Sequence, residues 1–268
     1  MTENERPRAG DRVAETLLAI YREEPCRTLS TAFWKVGSRI DEFQGAVETD
    51  DEGVTELRLW NDAELQVYWT RDREQFSVSR RFVAESELAV VHDDYVRSLP
   101  DGMLATGEPF FRMDDRGSSG RAPSLPSGYR FETVDVDREC GEVSRVISRC
   151  YDDLDPDPET VASWTDHPVF DEELWVWLVA DATDDYVGVG VAELDDRIPE
   201  ASLEWIQVLP AYHGDGLGKG LVLELRRRIG DRVAFTTVSG RYDGEDGLRR
   251  FYEACGFGGD DVWWVFRE

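Results

Sequence analysis

An α/β fold is predicted for the C-terminal half of this 268-residue chain, with a smaller α+β domain ahead of it. Three observations lead there. From Tyr129 onward, short apolar runs alternate with segments of helical period. One run ends at Val208-Leu209-Pro210 and turns through alternating glycines into the apolar helix Leu221–Ile229. A Gly/Ser/Pro-rich stretch over 117–128 reads as a linker and divides the chain into domains at 1–116 and 129–268.

In the first domain, Val13–Tyr21 has the period of a helix. Glu56–Trp60 and Leu65–Trp69 flank Asn61-Asp62 and read as a hairpin, with Phe76–Phe82 as a third strand and Ser86–Leu99 as a helix. Phe33, Trp34, Trp60 and Trp69 favour a packed domain over a tail. No catalytic constellation is visible in it, so an accessory role is expected. After the linker, Tyr129–Val134 reads as a strand and Asp137–Leu154 as an amphipathic helix. A short helix around Glu159–Thr165 follows. Leu174–Ala180 and Tyr186–Glu193 read as a hairpin about a polar turn. Ser202–Leu209, Val233–Ser239 and Val262–Arg267 are the remaining strands.

The segment His213-Gly214-Asp215-Gly216-Leu217-Gly218-Lys219-Gly220 carries the chemistry. Glycines admit backbone angles closed to other residues and let a ligand approach the main chain. The amides that open the following helix point their positive end into the turn, which suits a pyrophosphate. A P-loop requires Gly-Lys-Ser/Thr, and here Gly220 follows Lys219. Neither register of the glycines gives the Gly-x-Gly-x-x-Gly of a dinucleotide fold.

The stretch from His213 through Gly216 to Gly218, after a Val-x-Pro strand end, resembles the acyl-CoA loop of the GNAT N-acetyltransferases, with His213 in place of the usual Arg or Gln. Some thirty residues on, Tyr252, Glu253, Gly256 and Phe257 match the family's late Tyr-Glu-x-x-Gly-Phe helix end. Glu245 stands where Asn is usual and Leu248 where Ala is usual. Leu248, Phe251 and Cys255 fall on one helical face, and Gly256 is placed to cap it. The resemblance covers 129–268. It implies a mixed central sheet flanked by helices, acetyl-CoA as co-substrate, and transfer to a primary amine of a small molecule or a protein.

It also implies cofactor contacts along Ile206, Val208, His213, Gly214, Asp215, Gly216, Leu217, Gly218 and Lys219, with a strand amide near Val208 for the oxyanion. Tyr252 takes the position of the general acid, a phenol that stays protonated near neutrality. Glu204, on the side of Ile206 and Val208 if the strand alternates, is the candidate base. Glu193 and Asp195 are its rivals. Each has a plainer alternative: Tyr252 as a packing residue, Glu204 as one surface carboxylate among many, Lys219 as a solvated charge. Weak turnover, with the domain serving as an acyl-CoA sensor, is the competing function. The departures at His213 and Glu245 keep it open.

Composition bounds the rest. Fifty-seven acidic against thirty basic residues give a net charge of −27, and Lys35 and Lys219 are the only lysines. Such an excess fits a protein adapted to concentrated salt, as in a halophilic archaeon, where screening at about 1 M shortens the Debye length to ~3 Å. It argues against nucleic acid or anionic membrane as a partner. Cys26, Cys140, Cys150 and Cys255, with His92, His167 and His213, show no metal-ligand spacing, so no metal is expected and the thiols read as buried and free. Met1–Arg12 is charged, unlike a signal peptide, and no run approaches the ~20 apolar residues of a membrane span, so a cytoplasmic site is expected.

Overall fold

A computed structural model of the chain describes residues 9–73, 86–96, 99, 106–117, 125–242 and 247–267. They fall into two units. One comprises Met1–Asp114, Ser239–Arg249 and Gly258–Glu268, and the other Asp115–Val238 and Arg250–Phe257.

The first unit opens on the helix Ala9–Glu23, which buries Val13, Leu17, Ile20 and Tyr21. That spacing puts all four on one face. Strands β1 (Gln44–Asp50), β2 (Gly53–Trp60) and β3 (Glu64–Thr70) form an antiparallel meander. β4 (Leu88–His92) runs parallel to the start of β3, and β5 (Glu108–Asp115) follows it in sequence. The last strand of the chain, Gly258–Arg267, lies antiparallel between β4 and β5. The closing strand of the sequence therefore belongs with the N-terminal strands.

Where Ser86–Leu99 predicts a helix, the structure has β4 and then a single helical turn, Asp93–Val96. Ala89, Val90, Val91 and His92 are all buried between strands on either side. A short apolar run of this kind has no period by which strand and helix can be told apart. The strand expected over Phe76–Phe82 lies outside the described residues. Behind the turn sits Arg27, buried and satisfied: it pairs with Glu24 at 2.9 Å and Asp94 at 3.1 Å and donates to the Thr70 carbonyl at 2.6 Å. The Tyr95 hydroxyl accepts from the Thr70 amide at 2.9 Å.

In the second unit β6 (Tyr129–Thr133), β7 (Trp175–Ala180), β8 (Asp185–Asp195) and β9 (Glu200–Val208) are antiparallel neighbours, and β10 (Phe235–Arg241) runs parallel to β9. Helices Val136–Ser148 and Pro158–Ser163 cover one face, where Val143, Val146, Ile147 and Val161 pack on Trp175, Trp177, Val189 and Val191. Helix Leu217–Ile229 covers the other, so close that a Cβ on Gly190 would stand 2.9 Å from Leu221 and 3.0 Å from Leu225. Gly190 is there because no side chain fits. The helix expected over Asp137–Leu154 stops at Ser148, ahead of a run of aspartates and Pro156 that disfavours helix. Both units together give the mixed α/β architecture, helices on sheet, that the sequence predicts.

Candidate active site: a frayed strand, a glycine turn and a capped helix

β9 changes partners halfway along. Glu200–Leu203 are paired with Phe235–Val238 of β10, and the parallel ladder ends there. Beyond it, Trp205–Val208 are paired with β8, and every residue from Glu204 to Val208 is half-exposed. An edge of main-chain amides and carbonyls thus faces outward from within the sheet, the kind of edge onto which an extended ligand can add.

Glu204 marks the change. Val191 pairs with Trp205 and Ala192 with Leu203, so Glu204 is the extra residue of a β-bulge. The bulge breaks the alternation on which Glu204, Ile206 and Val208 would share a side. Ile206 pairs with Gly190, which faces helix Leu217–Ile229. Glu204 instead accepts a hydrogen bond from the Ser202 hydroxyl at 2.7 Å. Ser202 is the cross-strand partner of Glu193, whose carboxylate accepts from His167 Nδ1 at 2.9 Å. Glu204 therefore stands on the face of the sheet that carries Trp205 and the helices Val136–Ser148 and Pro158–Ser163. Of the rivals for the base, Glu193 is committed to His167, and Asp195 accepts from the Arg197 amide at 3.0 Å in the β8–β9 turn.

Past β9 the chain turns through Pro210–Tyr212. His213 Nε2 donates to the Val208 carbonyl at 2.7 Å, which ties the loop back to the strand end. Its side chain thus braces the loop, and the turn is left to the backbone. Gly214 and Gly216 have φ of 97° and 77°, in the left-handed region, and a Cβ on either would meet nothing within 4 Å. The glycines are required by conformation, and the space before them is open. The Gly220 amide bonds to the Gly216 carbonyl at 3.0 Å and begins the helix, so the amides ahead of it have no helical acceptor. Asp215 is exposed and Lys219 half-exposed at this end. Leu217 is buried against Leu178 and Val187, where it anchors the helix and offers only its amide.

The helix Gly247–Cys255 brings in Tyr252. Gly256 (φ 103°) closes it in a Schellman arrangement: the Phe257 amide bonds to the Tyr252 carbonyl at 3.1 Å and the Gly256 amide to that of Glu253 at 3.0 Å. Arg226 of the loop helix donates to the Cys255 carbonyl at 2.7 Å, and the Phe251 ring lies 3.4 Å from where a Gly218 Cβ would be. Two helices are thereby locked beside the turn. Tyr252 is buried between Phe251 and Phe257, and burial, reinforced by Cys255 and Tyr151, raises its pKa well above the ordinary phenol value. Leu248, expected on the apolar face, is exposed, and Tyr252 takes its place among the buried residues with Cys255. Glu245 lies outside the described residues.

Of the four thiols, Cys26 and Cys255 are buried and Cys140 and Cys150 only half so, and none is in a disulfide. Among the described residues no group of three or more His, Cys, Asp or Glu side chains is placed to hold a metal ion, and no helix is long and apolar enough to cross a membrane.

The comparisons show that this architecture is a GNAT-like fold. Residues 147–257, less than half of the chain, match the acetyltransferase (GNAT) family profile. A GCN5-related N-acetyltransferase from Sphaerobacter thermophilus superposes with a TM-score of 0.63 at 14% identity, covering 83% of this chain and 79% of that one. A GNAT-family acetyltransferase from Colwellia psychrerythraea gives 0.58 at 12%, over 96% and 97%. A tandem GNAT protein from the clavulanic acid biosynthesis pathway gives 0.53 at 15%, over 99% and 96%. At these identities the likeness is one of fold. No curated protein shows significant sequence similarity to the chain.

Proposed function

We propose that the protein is an N-acyltransferase that moves the acetyl group of acetyl-CoA to a primary amine. The observation that carries this reading is the continuity of the open strand Glu204–Val208 with the turn at Gly214–Gly216 and the helix start behind it. An exposed strand edge suits the amides of a pantetheine arm, and the open glycine turn with Lys219 suits its pyrophosphate. Acetyl-CoA, when bound, supplies the activated thioester carbonyl.

The chain's own residues do the remainder. Ile206 and Val208 offer backbone groups beside the carbonyl, and a strand amide there stabilises the charge that develops on its oxygen. Glu204 takes a proton from the incoming ammonium, directly or through water, so that a neutral nitrogen attacks. Tyr252, kept protonated by burial, donates its hydroxyl proton to the departing sulfur. His213 keeps the strand end and loop in register. The site lies in the second unit. The acceptor is a small molecule or a protein amine, and the acidic surface suits a salt-rich cytoplasm.

The burial of Tyr252 also favours a second reading, an acyl-CoA-binding sensor in which the phenol only packs. Purified protein in molar salt, offered acetyl-CoA and pooled amines with free-thiol release as the readout, separates the two. Amine-dependent thiol release is expected. Tight acetyl-CoA binding without release for any amine would select the sensor.

A further inference from the structure

The loop at 149–157, in place of the end of the helix expected over Asp137–Leu154, sets the Tyr151 side chain over the working strand. Among the described residues the exposed large apolar side chains are Tyr151 at 40%, Leu154 at 37% and Leu248. Two of the three share this loop, in a protein rich in carboxylates. Tyr151 is held where it is. Gln207, on the open part of β9, donates from Nε2 to the Tyr151 hydroxyl at 2.8 Å. The Tyr151 ring meets Trp205 edge-on at 6.3 Å, and Trp205 in turn stacks on Trp164 at 5.3 Å and 12°. Trp205 is the residue next to Glu204, and Tyr151 is near enough to Tyr252 to act on its ionisation.

An aromatic wall therefore rises beside the candidate base, on the base's own face of the sheet. Its rings are fixed by stacking and by one hydrogen bond, so a ligand laid against them loses no side-chain freedom on the protein's part. Asp152 and Asp153 are exposed at the rim and attract a cation as it approaches. We infer that the acceptor is a primary amine carried on an aromatic body, which packs against Tyr151 and Trp205 and presents its nitrogen to Glu204. The inference rests on the acyl-transfer reading of the same site and adds the chemical class of the acceptor.

The test compares 2-phenylethylamine, n-butylamine and a short peptide with a free N-terminus on the full chain in molar salt. Thiol release measures turnover, and calorimetry in the presence of CoA measures amine binding. The kcat/KM for 2-phenylethylamine should exceed that for n-butylamine by roughly tenfold, the scale of one good aromatic contact in a pocket. Tyr151→Ala should collapse that ratio, chiefly through KM for the aromatic amine, while Tyr151→Phe keeps most of it. Tyr151 is exposed, so both variants should fold, and retained acetyl-CoA affinity checks that they do. Equal turnover of the two amines, a preference for the peptide, or a ratio that survives Tyr151→Ala would overturn the acceptor class and leave acyl transfer standing. Binding of 2-phenylethylamine that Tyr151→Ala abolishes, without turnover, would uphold the aromatic site and sink the transfer reading. Absence of both binding and turnover would sink both.

Discussion

In the proposed reaction two side chains would divide the proton work, Tyr252 as acid and Glu204 as base. Tyr252 is buried among aromatic rings, which disfavours the phenolate and keeps its proton available at any physiological pH. Glu204 is half-exposed on a bulge, with Ser202 donating to it at 2.7 Å. Tyr252→Phe removes one oxygen from a packed ring, so acetyl-CoA affinity should hardly change while amine-dependent turnover falls by about 10²–10⁴-fold, the usual contribution of a positioned acid or base. Glu204→Gln should cost less, and the loss should shrink as rising pH supplies neutral amine without help. Steady-state thiol release from pH 6 to 10 measures both. Parental turnover in Tyr252→Phe would remove the general-acid assignment.

At the scale of elements, β4 and the turn after it carry a pH-sensitive joint. His92 is buried, with Asp261 of the closing strand at 3.0 Å and Asp94 at 3.4 Å. Burial alone would lower its pKa, but donation to the Asp261 carboxylate and the nearby Asp94 carboxylate outweigh that and raise it above the ordinary imidazole value. Burial likewise opposes the charge on Asp94, yet His92 and Arg27 hold its carboxyl well below the usual range. A raised histidine stabilises the fold fully below its unfolded value near 6.5 and loses that stabilisation as pH climbs through the folded one. A depressed aspartate stabilises above ~4 and is lost on acidification. The melting-temperature gap between parent and His92→Gln should thus be widest between about pH 4 and 6.5 and narrow towards pH 8. A gap independent of pH would show that His92 acts by packing alone.

The same elements show what the sequence discloses. The second half was legible because its strands are apolar, its turns polar, and its glycines sit at fixed offsets from Pro210 and Phe257. β1 was not, since Gln44–Asp50 is an edge strand with no buried residue and hence no alternation to read. A helix is predicted over Ser86–Leu99 because β4 within it, buried on both sides, has no polar face to set a period. In the site, the glycine turn could be read from residue types, but the bulge at Glu204 is a matter of register with β8. The Tyr151–Trp205–Trp164 group joins residues 54 positions apart, a contact made only by folding.

For the whole molecule, charge and strand order set the terms. A net charge of −27 should make folding depend on salt. From 1 M to ~0.1 M the Debye length grows from about 3 to 10 Å, and the carboxylates begin to repel across the surface. Melting temperature followed by circular dichroism should fall steeply over that range, and a flat series would contradict adaptation to salt. Strand order bears on the linker. A fragment of residues 129–268 keeps Gly258–Arg267 but removes β4 and β5, its partners on both sides. Such a fragment should be less stable than the full chain and prone to aggregate through its bare edges. Chemical denaturation of both would check this, and equal midpoints would mean the linker separates independent domains.

Calorimetric titration tests most directly whether the glycine turn behind the open strand receives acetyl-CoA. Acetyl-CoA added to the parent chain in molar salt should bind saturably at one site. Gly216→Val places a β-branched residue at a φ of 77°, which strains the turn and fills the space a pyrophosphate would take. Affinity in that variant should drop by at least roughly tenfold with the fold retained by circular dichroism. Unchanged affinity in a folded Gly216→Val protein, or no binding by the parent, would contradict the account.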